Sequence, residues 1–570
     1  MKQPAIQFTN FSFQYDSQAK PTLKNINLTI YQGEKVLIVG PSGSGKSSLG
    51  HAINGLIPFS YKGEITGSLH LLGKDAKDLS IFERSKIVGT VLQDPDGQFI
   101  SLTVGEDIAF ALENDCVPQK EMFQKVEQAA TLVGMEDYLK ESVQNLSGGQ
   151  KQRVSIAGVM VNDVEILLFD EPLANLDPAT GERVMELIDQ IQEHTGKTII
   201  IIEHRLEDVL SQRVDRIIVI HNGEILADMP PGELLSTNLL TEIQIREPLY
   251  LKAAKMAGCT ISKDLHPENM NRFQIEQVKG PLLSWFQSVN IPKSPIPEQT
   301  ILEANNLVFR YENGRKAINH ISFRIHKGEM VSIIGNNGAG KSTLSKLICG
   351  FEKPLSGSIF YNGKDITRDT IKERSERIGM VLQNPNHMIS KPMIFDEVAF
   401  GLVQRGIQEG EIKDRVYETL KICGLYPYRN WPIHALSFGQ KKRVTIASIL
   451  VLEPEILILD EPTSGQDYRH YRDIMEFLVK LNKQGKTILM ITHDMHLMLE
   501  YTTRAIVLHD GEKIADDSVF RILSDEELLN TASLKKTSLY TLAARLGVDE
   551  ESFVERFIYC EQEERKQWLK

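Results

Sequence analysis

Two stretches of this 570-residue chain combine residue types at a spacing suited to holding phosphate. Gly40, Pro41, Ser42, Gly43, Ser44, Gly45, Lys46, Ser47 and Ser48 follow the pattern Gly-x-x-x-x-Gly-Lys-Ser. Gly335, Asn336, Asn337, Gly338, Ala339, Gly340, Lys341, Ser342 and Thr343 follow it again. Each stretch comes after a short apolar run, 36–39 or 331–334, which reads as a buried parallel strand. Each then opens an amphipathic helical pattern. In that setting the glycines let the backbone wrap around a phosphate group, and N–H groups converge at a helix N-terminus. Lys46 and Lys341 would neutralise the β- and γ-phosphates, while Ser47 and Ser342 would offer a hydroxyl to Mg²⁺. A second constellation lies at the ends of the apolar runs 166–169 and 456–459, which lead into Asp170-Glu171 and Asp460-Glu461. Neighbouring strand residues point in opposite directions, so the two carboxylates can take different tasks. Asp170 and Asp460 would join the Mg²⁺ shell, and Glu171 and Glu461 would polarise an attacking water as general bases.

Ser147-Gly148-Gly149-Gln150 and Ser437-Phe438-Gly439-Gln440 form a third pair. The spacing S-x-x-Q is that of a capping box, so taken alone each reads as a well-made helix start. His204 and His493 each follow an apolar strand pattern. A single histidine there is more often structural than reactive.

The order of these residues along the chain shifts the balance toward chemistry. Gln93 and Gln383, Ser147 and Ser437, and Asp170 and Asp460 are each 290 residues apart. Five motifs recurring in one order mark a whole domain duplicated and fused, far longer than the 20–50-residue period of a solenoid. The expected fold class is α/β, with two tandem P-loop NTPase domains. Each would have a mainly parallel sheet with flanking helices, an antiparallel β part and a helical subdomain. The expected boundaries are 4–232 and 300–530, with a linker region or small helical subdomain at 233–299 and a helical tail at 531–570. Seven prolines between 231 and 300, ending in IPKSPIPEQT, suggest an extended connector with small helices near 249–258 and 281–289. Leu539, Leu542, Leu546, Phe553 and Phe557 have the spacing of an amphipathic helix docked on its own domain.

Composition narrows the class further. The formal charge of −12 disfavours a binder of phosphate backbones driven by overall charge. Five cysteines without a CxxC pair imply neither a disulfide framework nor a zinc ribbon and suit a reducing compartment. No run approaches the roughly 18 apolar residues of a membrane span, and the start of the chain lacks a signal-peptide core.

The P-loop, the LSGGQ-like segment and the Asp-Glu strand end, in this order and spacing, resemble the nucleotide-binding domains of ABC ATPases over nearly all of both repeats. The resemblance implies ATP and Mg²⁺ as ligands and ATP hydrolysis as the reaction. It implies a pseudo-dimer within one chain, in which each ATP meets the P-loop of one copy and the signature residues of the other. One site would use Lys46 with Ser437, Gly439 and Gln440. The other would use Lys341 with Ser147, Gly148, Gly149 and Gln150. Tyr15 and Tyr311, about 30 residues before the lysines, match the family's adenine-stacking aromatic. Gln93 and Gln383 match the loop that contacts Mg²⁺. Asp177 and Asp467 match the loop that crosses to the other site, and His204 and His493 match the γ-phosphate sensor. Two departures stand out: Phe438 replaces a signature glycine, and Asp467 follows Gly-Gln rather than Asn-Leu. The site borrowing Phe438 is expected to turn over more slowly.

After the two glutamines come Asp94-Pro-Asp-Gly-Gln-Phe99 with VGEDIAFAL, and Asn384-Pro-Asn-His-Met-Ile389 with FDEVAFGL. These are similar to energy-coupling-factor (ECF) importers and cobalt-transport ATPases, and the tandem length resembles the thiamine-precursor (hydroxymethylpyrimidine) type. That resemblance implies a transmembrane coupling protein and a small substrate-binding membrane protein as partners. It implies a peripheral place on the cytoplasmic face of the membrane and uptake of a vitamin, vitamin precursor or metal ion. The alternative is a soluble tandem ABC ATPase acting on ribosomes or nucleic acid. Such proteins carry a long charged hairpin between domains, whereas residues 231–300 here are proline-broken, with seven basic and seven acidic residues. No nucleic-acid partner is therefore expected.

Overall fold

The structure, a computed structural model, describes residues 3–568 except 95–96, 175, 293–298, 313, 315 and 464–465, with side chains through Arg565. Most of the proline-rich connector IPKSPIPEQT and part of the Asp94–Phe99 segment lie outside the described residues. The chain divides into two units, Met1–Trp285 with Asp467–Arg469 and Phe286–Gln466 with His470–Lys570.

In the first unit, the apolar run before the phosphate loop is the inner strand β3 (Lys35–Val39), buried along its length. It follows β1 (Pro4–Tyr15) and β2 (Leu23–Tyr31) and leads into helix α1 (Lys46–Asn54). Next come β4 (Gly63–Leu71), β5 (Lys74–Asp75), β6 (Val88–Val91), α2 (Val104–Asn114) and α3 (Gln119–Leu132). Helix α4 (Gly148–Met160), β7 (Ile166–Asp170), α5 (Pro178–Thr195), β8 (Thr198–Ile202), α6 (Leu206–Val209), β9 (Arg216–His221) and β10 (Glu224–Met229) complete the copy. The strands form two sheets. One is antiparallel, in the order β2-β1-β4-β5. The other runs β10-β9-β3-β8-β7-β6 and is parallel except for its edge strand β10. Side chains from both sheets and from α1 share one core, including Phe8, Phe13, Ile38, Leu49, Ile53, Leu168 and Ile202. Strands buried on both faces read as continuous Val/Ile/Leu runs, and β8 with its sequence TIIII is the extreme case.

This unit runs on past residue 232. Helices α7 (Leu249–Met256) and α8 (Lys279–Ser288) lie in the stretch between the copies. Leu234, Leu251, Phe273 and Leu282 are buried there, and Tyr250 donates to the Pro267 carbonyl at 2.5 Å. Leu249 N, at the start of α7, donates to Glu207 Oε2 of α6 at 2.9 Å. The stretch up to Trp285 thus belongs to the first unit, with Tyr250 meeting Phe273 edge-on.

The second unit repeats the plan. Strands β11 (Thr300–Arg310), β12 (Lys316–His326) and β13 (Met330–Ile334) lead into α9 (Lys341–Cys349). Then come β14 (Ser356–Tyr361), β15 (Lys364–Asp365), β16 (Ile378–Val381), α10 (Ile394–Gln404), α11 (Glu409–Ile422) and α12 (Phe438–Leu450). Strand β17 (Ile456–Asp460), α13 (Tyr468–Lys483), β18 (Thr487–Ile491), α14 (Met495–Tyr501), β19 (Arg504–His509) and β20 (Glu512–Ser518) close it. Its sheets have the orders β12-β11-β14-β15 and β16-β17-β18-β13-β19-β20. The tail is two helices, α15 (Ser538–Leu546) and α16 (Glu550–Trp568), rather than one. Leu539, Leu542, Leu546, Phe553 and Phe557 are all buried. Arg565 on α16 forms a buried pair with Glu500 on α14 at 2.8 Å. Among the described residues no helix is long and apolar enough to cross a membrane.

Candidate functional site

The chemistry-bearing residues of each copy gather at the C-terminal edge of its parallel strands, where open α/β sheets bind ligands. Strand β3 delivers the loop Gly40–Gly45 to the N-terminus of α1, and β13 delivers Gly335–Gly340 to α9. Two glycines in each loop are required by geometry. A Cβ at Gly40 would lie 2.2 Å from the Ile220 carbonyl oxygen, and one at Gly335 would lie 2.0 Å from that of Leu508. Gly45 and Gly340 cap the helices with φ of 109° and 101°, a region that strains any other residue. Lys46 Nζ is folded back on the loop, donating to the carbonyls of Gly40 at 2.7 Å and Pro41 at 3.1 Å. Lys341 Nζ does the same to Gly335 at 2.8 Å and Asn336 at 2.9 Å. Burial holds Lys46 below the usual lysine range, opposed by the carboxylates of Glu171 and Asp170.

Tyr15 and Tyr311 come to the same loops. Tyr15 Oη is 2.9 Å from Ser48 Oγ, and Tyr311 Oη is 2.9 Å from Thr343 Oγ1. Their rings meet Phe13 and Phe309 edge-on.

Strands β7 and β17 bring the paired carboxylates. Burial pushes Asp170 up to about 6, reinforced by Glu171 and countered by Lys46. Asp460 is likewise pushed up to about 6 by burial and Glu461, and pulled down by Lys442 and Lys341. Ser342 Oγ lies 3.5 Å from Asp460 Oδ2. Both general-base candidates hold a left-handed backbone, φ 49° at Glu171 and 44° at Glu461, strain of the kind that concentrates at functional sites. Glu171 Oε2 accepts from Gln93 Nε2 at 2.7 Å, and Glu171 Oε1 lies 3.1 Å from His204 Nε2. In the second copy His493 Nδ1 lies 2.7 Å from Glu461 Oε1. Gln383 sits just after β16, as Gln93 does after β6.

The signature residues begin α4 and α12. Ser147 and Gln150 form a reciprocal capping box, with Ser147 N donating to Gln150 Oε1 at 2.9 Å and Gln150 N to Ser147 Oγ at 3.3 Å. Ser437 and Gln440 repeat it at 3.0 and 3.3 Å. A Cβ at Gly149 would lie 2.3 Å from Thr180 Cγ2, so the glycine also permits a close helix approach. Gly439 stands at the same position of α12, and the Phe438 ring beside it is exposed. Asp177 caps α5, accepting from Thr180 N at 2.9 Å. Asp467 directly precedes α13.

Several organising residues had no motif to announce them. Glu203 is fully buried, its carboxyl raised by burial and by Glu171. It accepts from the N–H groups of His204, Arg205 and Leu173, tying the histidine to the loop after Glu171. Lys442, inside α12, donates to the carbonyls of Leu382 and Gln383, and burial holds it down at about 8 against the pull of Asp460 and Glu461. Asp107 and Glu397 pin the segments after the glutamine loops. Asp107 accepts from Ile100 N and Ser101 N, and Glu397 from Ser390 N and Lys391 N. Lining up the two copies at a spacing of 290 would have flagged Asp107 with Glu397 as matched acids, and Lys442 with Gln152 as a mismatch.

These residues fit a nucleotide phosphate and Mg²⁺. The loops are cradles that a Cβ would fill, and Ser44 Oγ and Asn336 Oδ1 are buried in them without hydrogen-bond partners among the described residues. No group of three or more His, Cys, Asp or Glu among the described residues could hold an ion by itself. Mg²⁺ usually takes one or two carboxylates with phosphates and water, so Asp170 with Ser47, or Asp460 with Ser342, is a sufficient set.

A family model described as ABC transporter matches residues 23–174 and 318–464, once in each copy. The chain belongs to the ABC transporter ATP-binding family. A second model, described as ATP-binding cassette cobalt transporter, matches residues 237–309. The chain is 59% identical to an ABC transporter ATP-binding protein of Clostridium perfringens (strain 13 / Type A), over 97% of this chain and 98% of that one. It is 56% identical to another from Enterococcus faecalis (strain ATCC 700802 / V583), over 99% of this chain and all of the relative. A solved structure of CbiO1 from Clostridium perfringens, described as part of the ABC transporter complex CbiONQ, is 38% identical. It covers 41% of this chain and 94% of its own, with a TM-score of 0.38. Members of the ABC family are ATP-hydrolysing transporter subunits, peripheral to the membrane, that bind ATP with Mg²⁺. Both ABC domains here are α/β P-loop folds.

Proposed function

We propose that the chain is the motor subunit of an ECF-type importer, hydrolysing ATP at both copies to drive uptake of a metal ion, vitamin or vitamin precursor. The observation that carries the hydrolytic part is Glu171 held between Gln93 and His204, with Glu461 on His493 in the second copy. Each glutamate acts as general base on the attacking water. Lys46 and Lys341 bind the phosphates, together with the residues of loops 40–48 and 335–343. Asp170, Ser47 and Gln93 hold Mg²⁺ in one copy, and Asp460, Ser342 and Gln383 in the other. Bound Mg²⁺ neutralises charge on the phosphate oxygens. Tyr15 and Tyr311 stack on adenine. Asp177, Asp467, the signature residues 147–150 and Ser437, Gly439 and Gln440 sense the bound nucleotide.

The transport part rests on two supports. One is the match of residues 237–309 to a family described as a cobalt transporter. The other is the segment after each glutamine loop, where Ile100 and Leu102 are 67% and 77% exposed on a loop that Asp107 holds in place. Such a surface suits docking of an apolar segment of a transmembrane coupling protein, and a small membrane protein would then supply the cargo site.

Turnover of Glu171→Gln, Glu461→Gln and the double variant tests the motor. Each single change is expected to lower ATP hydrolysis, and the double change to lower it by roughly 100-fold or more. If either single change leaves turnover unaltered, the two-site reading fails.

A further inference from the structure

The two copies hold their glutamine loops shut by different means. In the first copy the loop closes on itself through Gln98. Its Nε2 donates to the Thr90 carbonyl at 3.3 Å and its Oε1 accepts from Leu92 N at 3.2 Å. The amide therefore bridges the end of β6 on both sides of the turn that carries Gln93. The matching residue in the second copy is Met388, whose thioether can accept but has no proton to give. Leu382 N reaches Met388 Sδ at 3.2 Å, so only the accepting half of the staple survives.

A donor from another element reaches carbonyls two and three residues further along the loop. Lys442 stands on α12, five residues after Ser437 and almost completely buried. Its Nζ donates to the carbonyl oxygens of Leu382 at 2.9 Å and Gln383 at 2.6 Å. The first-copy counterpart, Gln152 on α4, is equally buried, yet its Nε2 has no hydrogen-bond partner among the described residues. The substitution pair is thus reciprocal: Gln98 with Gln152 in one copy, Met388 with Lys442 in the other. A charged donor to backbone carbonyls makes a stronger tie than a neutral amide. It also joins different parts, linking the loop to the signature helix of its own copy rather than to its own far side.

We propose that Lys442 is a positioning residue of the second ATP site, fastening the Gln383 loop to helix α12 so that the two move as one body. In the first copy Gln98 instead ties back to the end of β6, at Thr90 and Leu92. The role of Gln383 toward Mg²⁺ rests on the function proposed above. The fastening itself does not.

Hydrogen exchange on the full chain, together with the Mg²⁺ dependence of its ATP turnover, separates the two. Lys442→Gln is expected to speed exchange in peptides spanning 380–391 roughly tenfold, the factor that loss of about one net hydrogen bond implies. Lys442→Arg should keep protection, because it keeps a buried donor. The double variant Lys442→Gln with Met388→Gln should regain protection by installing the first-copy staple. In the first copy, Gln98→Met should loosen residues 90–93, and adding Gln152→Lys should tighten them again. Unchanged exchange in Lys442→Gln, or no rescue by either paired change, overturns the fastening. The Mg²⁺ concentration for half-maximal turnover should rise several-fold in Lys442→Gln and return in the rescued double variant. A shift in exchange and its rescue without any shift in Mg²⁺ dependence would uphold the fastening and instead remove Gln383 from the metal site.

Discussion

Glu171 is engaged at both carboxylate oxygens, while its neighbour Asp170 is forced toward the neutral form by burial and by the charge beside it. With Asp170 and Asp460 raised to about 6, the free protein at neutral pH carries two buried carboxylates that resist ionisation. The sign follows from linkage. A carboxyl raised in the folded state costs stability above that value, and the cost fades as pH falls through it. Asp170→Asn and Asp460→Asn should therefore stabilise the nucleotide-free protein against urea by roughly 1–3 kcal/mol each at pH 8. The gain should shrink toward zero below about pH 6. Both variants should also lose ATP turnover. A gain independent of pH, or a loss at pH 8, would contradict the burial argument. At this scale the motif residues were legible because each motif is a short local string. Glu203 was not, since its three backbone donors, at 173, 204 and 205, include one that only the fold brings near.

The helices and strands that carry these groups follow local rules. S-x-x-Q gave reciprocal capping boxes at α4 and α12, and unbroken apolar runs gave the inner strands β3, β7, β8 and their repeats. The segment after the glutamine loop is organised differently. Asp107 on α2 and Glu397 on α10 reach back to accept the backbone N–H groups that precede their own helices. A bridge from Thr103 to Ser142, and another from Met393 to Pro432, then joins each segment to the chain leading into the signature helix. On the proposed reading, a partner docked at Ile100 and Leu102 therefore presses on a segment tied to the chain that leads into Ser147. Asp107→Ala should cost the loop up to about 1 kcal/mol of local stability, because the two released donors are exposed enough to meet water. Co-purification with the membrane partners should weaken while ATP hydrolysis by the isolated chain stays near its original rate. Retention of the full complex would show that this loop is not the docking element.

For the whole molecule, the proposed reading assigns the pore and the cargo site to other chains; no helix among the described residues is long and apolar enough to cross a membrane. Purification from membranes should bring down a polytopic protein and a small membrane protein, and uptake assays with Co²⁺, Ni²⁺ and thiamine precursors should reveal the cargo. Recovery of ribosomes instead would reverse the reading. The sequence by itself determined that a phosphate-binding α/β domain occurs twice, because loop, cap and strand-end chemistry are set by neighbours within a few residues. Only the tertiary structure decided how far each unit extends. The sequence between the copies left a linker and a small helical subdomain both open, whereas Leu234, Leu251, Phe273 and Leu282 are each buried within the first unit. It also decided which groups hold the catalytic loops. In one dimension Gln98 with Met388 and Gln152 with Lys442 read only as two unrelated mismatches between the copies, and their roles become linked only when strand ends and signature helix are brought within hydrogen-bond distance.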